Sequence, residues 1–102
     1  MDDIDERTSA ATTEYLGHLV LLTHSQVKVF MNSRHFVVQR RGVSVYAESG
    51  RELTPADLAD LEELRRKGLV EERRRDTGRN GSEPALAPSV AASDLLEFLL
   101  LT

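Results

Sequence analysis

The chain contains no cysteine and no tryptophan. Without cysteine there is no disulfide, no thiol nucleophile and no thiolate metal site. Aromatic residues make up only 5%, so the core has to be built from aliphatic side chains. No apolar run reaches the ~18–20 residues that cross a bilayer. An excess of cations is also missing. Lysine and arginine number 13 against 17 Asp and Glu, for a formal charge of −4. That balance excludes a uniformly basic nucleic-acid coat, because neutralising phosphates requires cations. The opening residues Met1-Asp2-Asp3-Ile4-Asp5-Glu6 are acidic where a secretory leader is basic. The expectation is a soluble cytoplasmic protein with no membrane partner and no cofactor.

What remains is a globular composition, 40% hydrophobic and 29% charged over 102 residues. It fits a flexible acidic tail over residues 1–9 and a single domain over residues 10–102. The apolar spacing of Tyr15/Leu19 and Leu16/Val20 predicts a first helix over residues 10–22. Thr23 and Gln26 form a capping box, with Leu22 and Val27 at the staple positions, so a second helix spans residues 23–32. His35–Gln39 and Val43–Tyr46 flank Arg40-Arg41-Gly42 and predict a hairpin over residues 35–46.

The next helix, residues 54–67, has both ends written locally. Thr54 is the N-cap, Pro55 falls at N1, and Asp57 sits at N3. Leu53 and Leu58 form the staple, Leu58, Leu61 and Leu64 the buried stripe, and Gly68 with Leu69 the Schellman stop. A second hairpin follows over residues 69–87, with a loop at Asp76–Ser82, and a last helix over residues 90–101. The fold class is therefore α+β, with about four helices and two hairpins.

Residues Leu61–Val70, then Arg73-Arg74-Arg75-Asp76 and Gly78-Arg79, carry a resemblance. The stretch 58–86 resembles the winged-helix DNA-binding regulators, in particular their MarR-like branch. The resemblance implies a winged-helix-like fold, with residues 54–67 as recognition helix and residues 69–87 as wing. It also implies that Arg79 is the wing-tip arginine that enters the minor groove, and that the partner is double-stranded DNA.

Charge along the chain gives an independent reading. Residues 65–79 hold Arg65, Arg66, Lys67, Arg73, Arg74, Arg75 and Arg79 against three carboxylates, a local charge of +4. On a strand, Arg73 and Arg75 share a face suited to phosphate contact. The same residues also suit a helix C-terminus and a solvated strand edge. Arg40 and Arg41 at the first hairpin tip add backbone contacts in the nucleic-acid reading. The outward positions Asp57, Asp60 and Glu63 of helix 54–67 are acidic. Phosphates repel carboxylates, so these residues support a second reading, a protein-interaction adaptor that presents an acidic strip over residues 56–63.

The last helix is apolar on most sides, which predicts a homodimer built on Leu19, Leu22, Leu95, Phe98 and Leu99, or else a central helix of one chain's core. His18, His24 and His35 lack the i, i+4 spacing of a helical metal pair. There is no nucleophile elbow and no phosphate loop, so no catalytic residue is expected.

Overall fold

The computed structural model describes residues 13–15 and 18–101, with side chains from Leu21 to Leu101. Chain order is β1 (Thr13–Tyr15), β2 (His18–Val20), α1 (His24–Asn32), a 3-10 turn (Ser33–His35), β3 (Val37–Arg40) and β4 (Val43–Tyr46). Then come α2 (Pro55–Arg66), β5 (Val70–Gly78), β6 (Gly81–Pro88), a second 3-10 turn (Val90–Ala92) and α3 (Ser93–Leu101). The class is α+β, with three α-helices among the described residues and a four-stranded antiparallel sheet of order β4-β3-β6-β5.

The expected helix over residues 10–22 is replaced by an antiparallel pair in which Thr13 faces Val20 and Tyr15 faces His18. Thr13, Tyr15 and Val20 favour extended backbone, and Gly17 between the strands costs a helix about 1 kcal/mol relative to alanine. The four-helix count falls with it. The acidic tail assigned to residues 1–9 lies outside the described residues.

Helix α1 begins where the capping box places it. The Gln26 amide donates to Thr23 Oγ1, and the Thr23 amide donates to Gln26 Oε1, both at 3.1 Å. Helix α2 repeats the device with Thr54 and Asp57, again at 3.1 Å in each direction. Its end is a Schellman stop. The Leu69 amide donates to Leu64 O and the Gly68 amide to Arg65 O, each at 3.0 Å. Gly68 holds φ +79°, a conformation open to glycine at little cost. One residue of α2 departs from expectation. Leu61 and Leu64 are buried, but Leu58 is 40% exposed and leaves the core to its neighbours one and two turns on.

The principal core lies between the helices and one face of the sheet. Phe30, Leu22, Leu64 and Leu69 are its most completely buried large side chains, joined by Val37, Tyr46, Val70, Ala92, Leu95 and Leu99. Directly paired residues share a face. Val37, Leu86 and Tyr46 therefore look toward the helices, while Val38, Val45 and Ala85 form a second small cluster on the opposite face under Phe36 and Ala47.

Leu22, Leu95 and Leu99 are thus buried in the chain's own core, at 0%, 4% and 6% exposure, and are not available to a second subunit. That corrects their assignment to a dimer interface. A core helix of one chain explains them, because α3 packs on α1. Phe98 remains 41% exposed, and Leu19 falls outside the described side chains. Among the described residues, no helix is long and apolar enough to cross a membrane.

Candidate nucleic-acid interface

Strands β5 and β6 pair along their whole length from Val70↔Pro88 to Gly78↔Gly81. Strand β6 meets β3 at Val37↔Leu86. The hairpin turns at Arg79 and Asn80, both left-handed with φ of +50° and +64°. Consecutive left-handed residues in a two-residue loop match the twist of the flanking strands. Arg79 is exposed at this turn, with no ion-pair partner among the described residues.

An irregularity between Asp76 and Gly78 decides what the rest of β5 faces. An unbroken ladder from Gly78↔Gly81 would set Asp76 opposite Glu83, two like charges. The extra residue, Thr77, shifts the register so that Arg75 stands opposite Glu83 and Arg73 opposite Ala85. Arg73 and Arg75 do share a face, and Arg74 points to the other.

Glu83 gathers two of the candidate arginines. Arg40 Nη1 and Nη2 donate to its two oxygens at 2.6 and 3.0 Å, and Arg75 Nη1 donates to Oε2 at 2.8 Å. The Arg40 hydrogen bond is the main reason the Glu83 carboxyl lies below its ordinary range, with Arg75 adding to it. The same bond holds Arg40 more firmly in its charged form. A carboxylate whose folded pKa is lowered stabilises the fold above the ordinary glutamate pKa. That contribution disappears as pH falls through the lowered value. Acid melts of the native chain are therefore expected to lose more stability below about pH 5 than those of Glu83→Gln, which lacks this titration.

The other candidates are disposed differently. Arg73 Nη1 reaches Pro88 O at 3.4 Å, and Arg74 Nη2 donates to Ser82 Oγ at 2.9 Å; among the described residues neither charge is met by a carboxylate. Arg66 pairs with Glu63 at 2.5 Å, and Lys67 Nζ donates to Leu21 O at 3.0 Å. Arg65 at the end of α2 and Arg41 at the β3–β4 turn are exposed and have no ion-pair partner among the described residues. Of the eight arginines and lysines singled out from the sequence, Arg40 and Arg75 are joined through Glu83. Arg65, Arg73, Arg79 and Arg41 have no ion-pair partner among the described residues.

A second constellation had no sequence signal. His35 Nδ1 lies 2.9 Å from Glu48 Oε2. On one side of this pair is a cavity of about 200 Å³ lined by Asn32, Tyr46, Ser49 and Arg51 as well. On the other is an open cleft of about 440 Å³ lined also by Arg34, Phe36, Arg74, Arg75 and Asp76. The Arg51 guanidinium sits 4.8 Å above the Tyr46 ring. Tyr46 is 4% exposed, and its hydroxyl, with Asn32 and Arg51 beside it, makes no hydrogen bond of good geometry among the described residues. Burial pushes this phenol's pKa up, with the Asp57 charge adding to the effect. An unsatisfied buried hydroxyl costs about 1–3 kcal/mol.

No protein-family model matches the chain, and neither does a curated protein or a solved structure.

Proposed function

We propose that the chain is a small winged-helix-like DNA-binding protein, a transcriptional regulator that works as a homodimer. Its β5–β6 hairpin serves as the wing, and contact is made with the DNA backbone and minor groove rather than by base reading from α2. The observation that carries this is the turn of the hairpin. Arg79 is displayed there on a left-handed two-residue loop, exposed and unpaired among the described residues, with Arg73 unneutralised farther down the same hairpin. Backbone contacts of this kind position a protein on a duplex without specifying sequence. Arg65 at the foot of α2 and Arg41 at the other hairpin tip add cations, while Arg40 and Arg75 are held by Glu83 in the free protein. In the dimer, exposed Phe98 with Leu100 and Leu101 on α3 offers the apolar surface that the buried leucines cannot.

One observation favours the adaptor reading. Leu58 is 40% exposed on α2, one turn before Glu62, which has no cationic partner among the described residues. An apolar side chain beside a carboxylate suits a basic protein segment.

Gel filtration of the tagged protein from lysate, with and without nuclease, separates the two. Co-elution with nucleic acid that nuclease abolishes is the result expected for the wing. A nuclease-resistant protein complex that Leu58→Lys dissolves would support the adaptor and sink the DNA reading.

A further inference from the structure

We infer that two copies of this chain pair through the open edge of β5, antiparallel about a two-fold axis at Arg73, so that their two sheets become one. The contact uses no residue of α3 and stands beside the surface proposed there. It does not rest on DNA binding, since Glu72 and Arg74, which carry it, are not among the wing contacts.

The first observation is that the sheet has one open edge among the described residues. Its strand order is β4-β3-β6-β5, so β4 and β5 are the outer strands. The β4 edge is covered by its own chain. The Leu53 amide donates to Ser44 O at 3.0 Å, the Tyr46 amide donates to Arg51 O at 2.9 Å, and Glu52 bridges Val45. No described segment pairs with the outer side of β5. The second observation is what that edge presents. The Ser89 amide donates to Leu69 O at 2.9 Å, one step before the β5–β6 ladder begins at Val70↔Pro88. Inward and outward backbone groups alternate along an antiparallel strand. Glu71, Arg73 and Arg75 therefore bond inward to β6, while Glu72 and Arg74 turn their N–H and C=O outward.

The third observation is the order of charge in Glu71-Glu72-Arg73-Arg74-Arg75. Set antiparallel to itself about Arg73, this run places Glu72 of each copy opposite Arg74 of the other, and Glu71 opposite Arg75. Directly opposed charges of unlike sign stabilise a strand pair. Moving the axis to Arg74 would oppose Arg73 to Arg75 and Glu72 to Asp76, and moving it to Glu72 would oppose Glu72 to itself. Charged edges ordinarily deter pairing. This one changes sign midway and is its own complement. In the single chain Glu72 has no ion-pair partner among the described residues, and Arg74 bonds only to Ser82, so pairing breaks no ion pair of either.

The test is disulfide trapping of the purified full chain, whose lack of cysteine makes one introduced thiol unambiguous. Across the axis, Arg73 would face its own copy at a Cα separation of about 4.5 Å, within the range a disulfide spans. Two Glu71 residues would lie about 14 Å apart along the strands. Both positions are exposed, so the substitutions leave the core untouched. Under mild oxidation Arg73→Cys should form a linked dimer about tenfold or more faster than Glu71→Cys. Adding Glu72→Arg to Arg73→Cys should slow trapping about tenfold, and adding Arg74→Glu as well should restore it to within about threefold. Equal rates for Arg73→Cys and Glu71→Cys overturn the inference, as does a triple variant that traps no faster than Arg73→Cys with Glu72→Arg. An edge that takes a strand of some other protein would leave purified Arg73→Cys unlinked, which also overturns it.

Discussion

Phe30→Ala is expected to remove about 3–5 kcal/mol of unfolding free energy, the largest loss of any single truncation in this chain. Phe30 is fully buried and sits in the main core with Leu22, Leu64, Leu69 and Leu95. Tyr46, 4% exposed, is the other ring in this core, but Phe30 is the aromatic side chain buried to 0%. Truncation leaves a cavity lined by aliphatic side chains, which relaxes only in part. Small domains have modest stability margins, so the variant is expected to be partly unfolded at 37 °C. Urea denaturation followed by circular dichroism checks this. A loss under about 1 kcal/mol would mean that Phe30 does not lie at the centre of the core.

Glu83→Gln is expected to strengthen DNA binding about fivefold to tenfold and to steepen its salt dependence by about one contact. In the free protein Glu83 accepts from Arg40 and Arg75 together. A duplex phosphate competes for those guanidinium groups against a carboxylate already in place. Glutamine keeps the shape and one acceptor but gives up the charge. Two cations then become available on the hairpin face that also carries Arg73. Fluorescence anisotropy with a labelled duplex at several salt concentrations reads both quantities. Weaker binding by this variant would show that Glu83 helps shape the interface rather than masking it.

The sequence exposed the elements whose signals are local. The Thr23–Gln26 capping box, the Thr54 N-cap, Pro55 at N1 and the Gly68 stop lie within a few residues of the helix ends they define, and each is found where its spacing puts it. The turn at Arg41-Gly42 likewise followed from a glycine between two β-branched runs. Residues 10–22 misled because two i, i+4 pairs suffice to suggest a helix, whereas Tyr15 and Val20 suit a strand equally well. Leu58 fits the helical stripe, and only tertiary packing leaves it outside.

The candidate site was legible as a basic segment but not as a set of partners. Whether Arg75 meets Glu83 depends on one extra residue near Thr77, and a shift of one residue exchanges the two faces of a strand. Composition over residues 65–79 also omits Glu83, which β6 brings back beside the wing. The His35, Tyr46, Glu48 and Arg51 cluster arises from a turn and a hairpin folding onto each other, so no sequence period announces it.

The salt dependence of duplex binding tests the wing proposal most directly. Binding of a random-sequence duplex should weaken linearly on a log–log scale as salt rises. Arg73→Ala combined with Arg79→Ala should lower affinity about tenfold to a hundredfold near 0.1 M salt and reduce the slope by about two. Equal affinity and slope for the native chain and the double variant would contradict it.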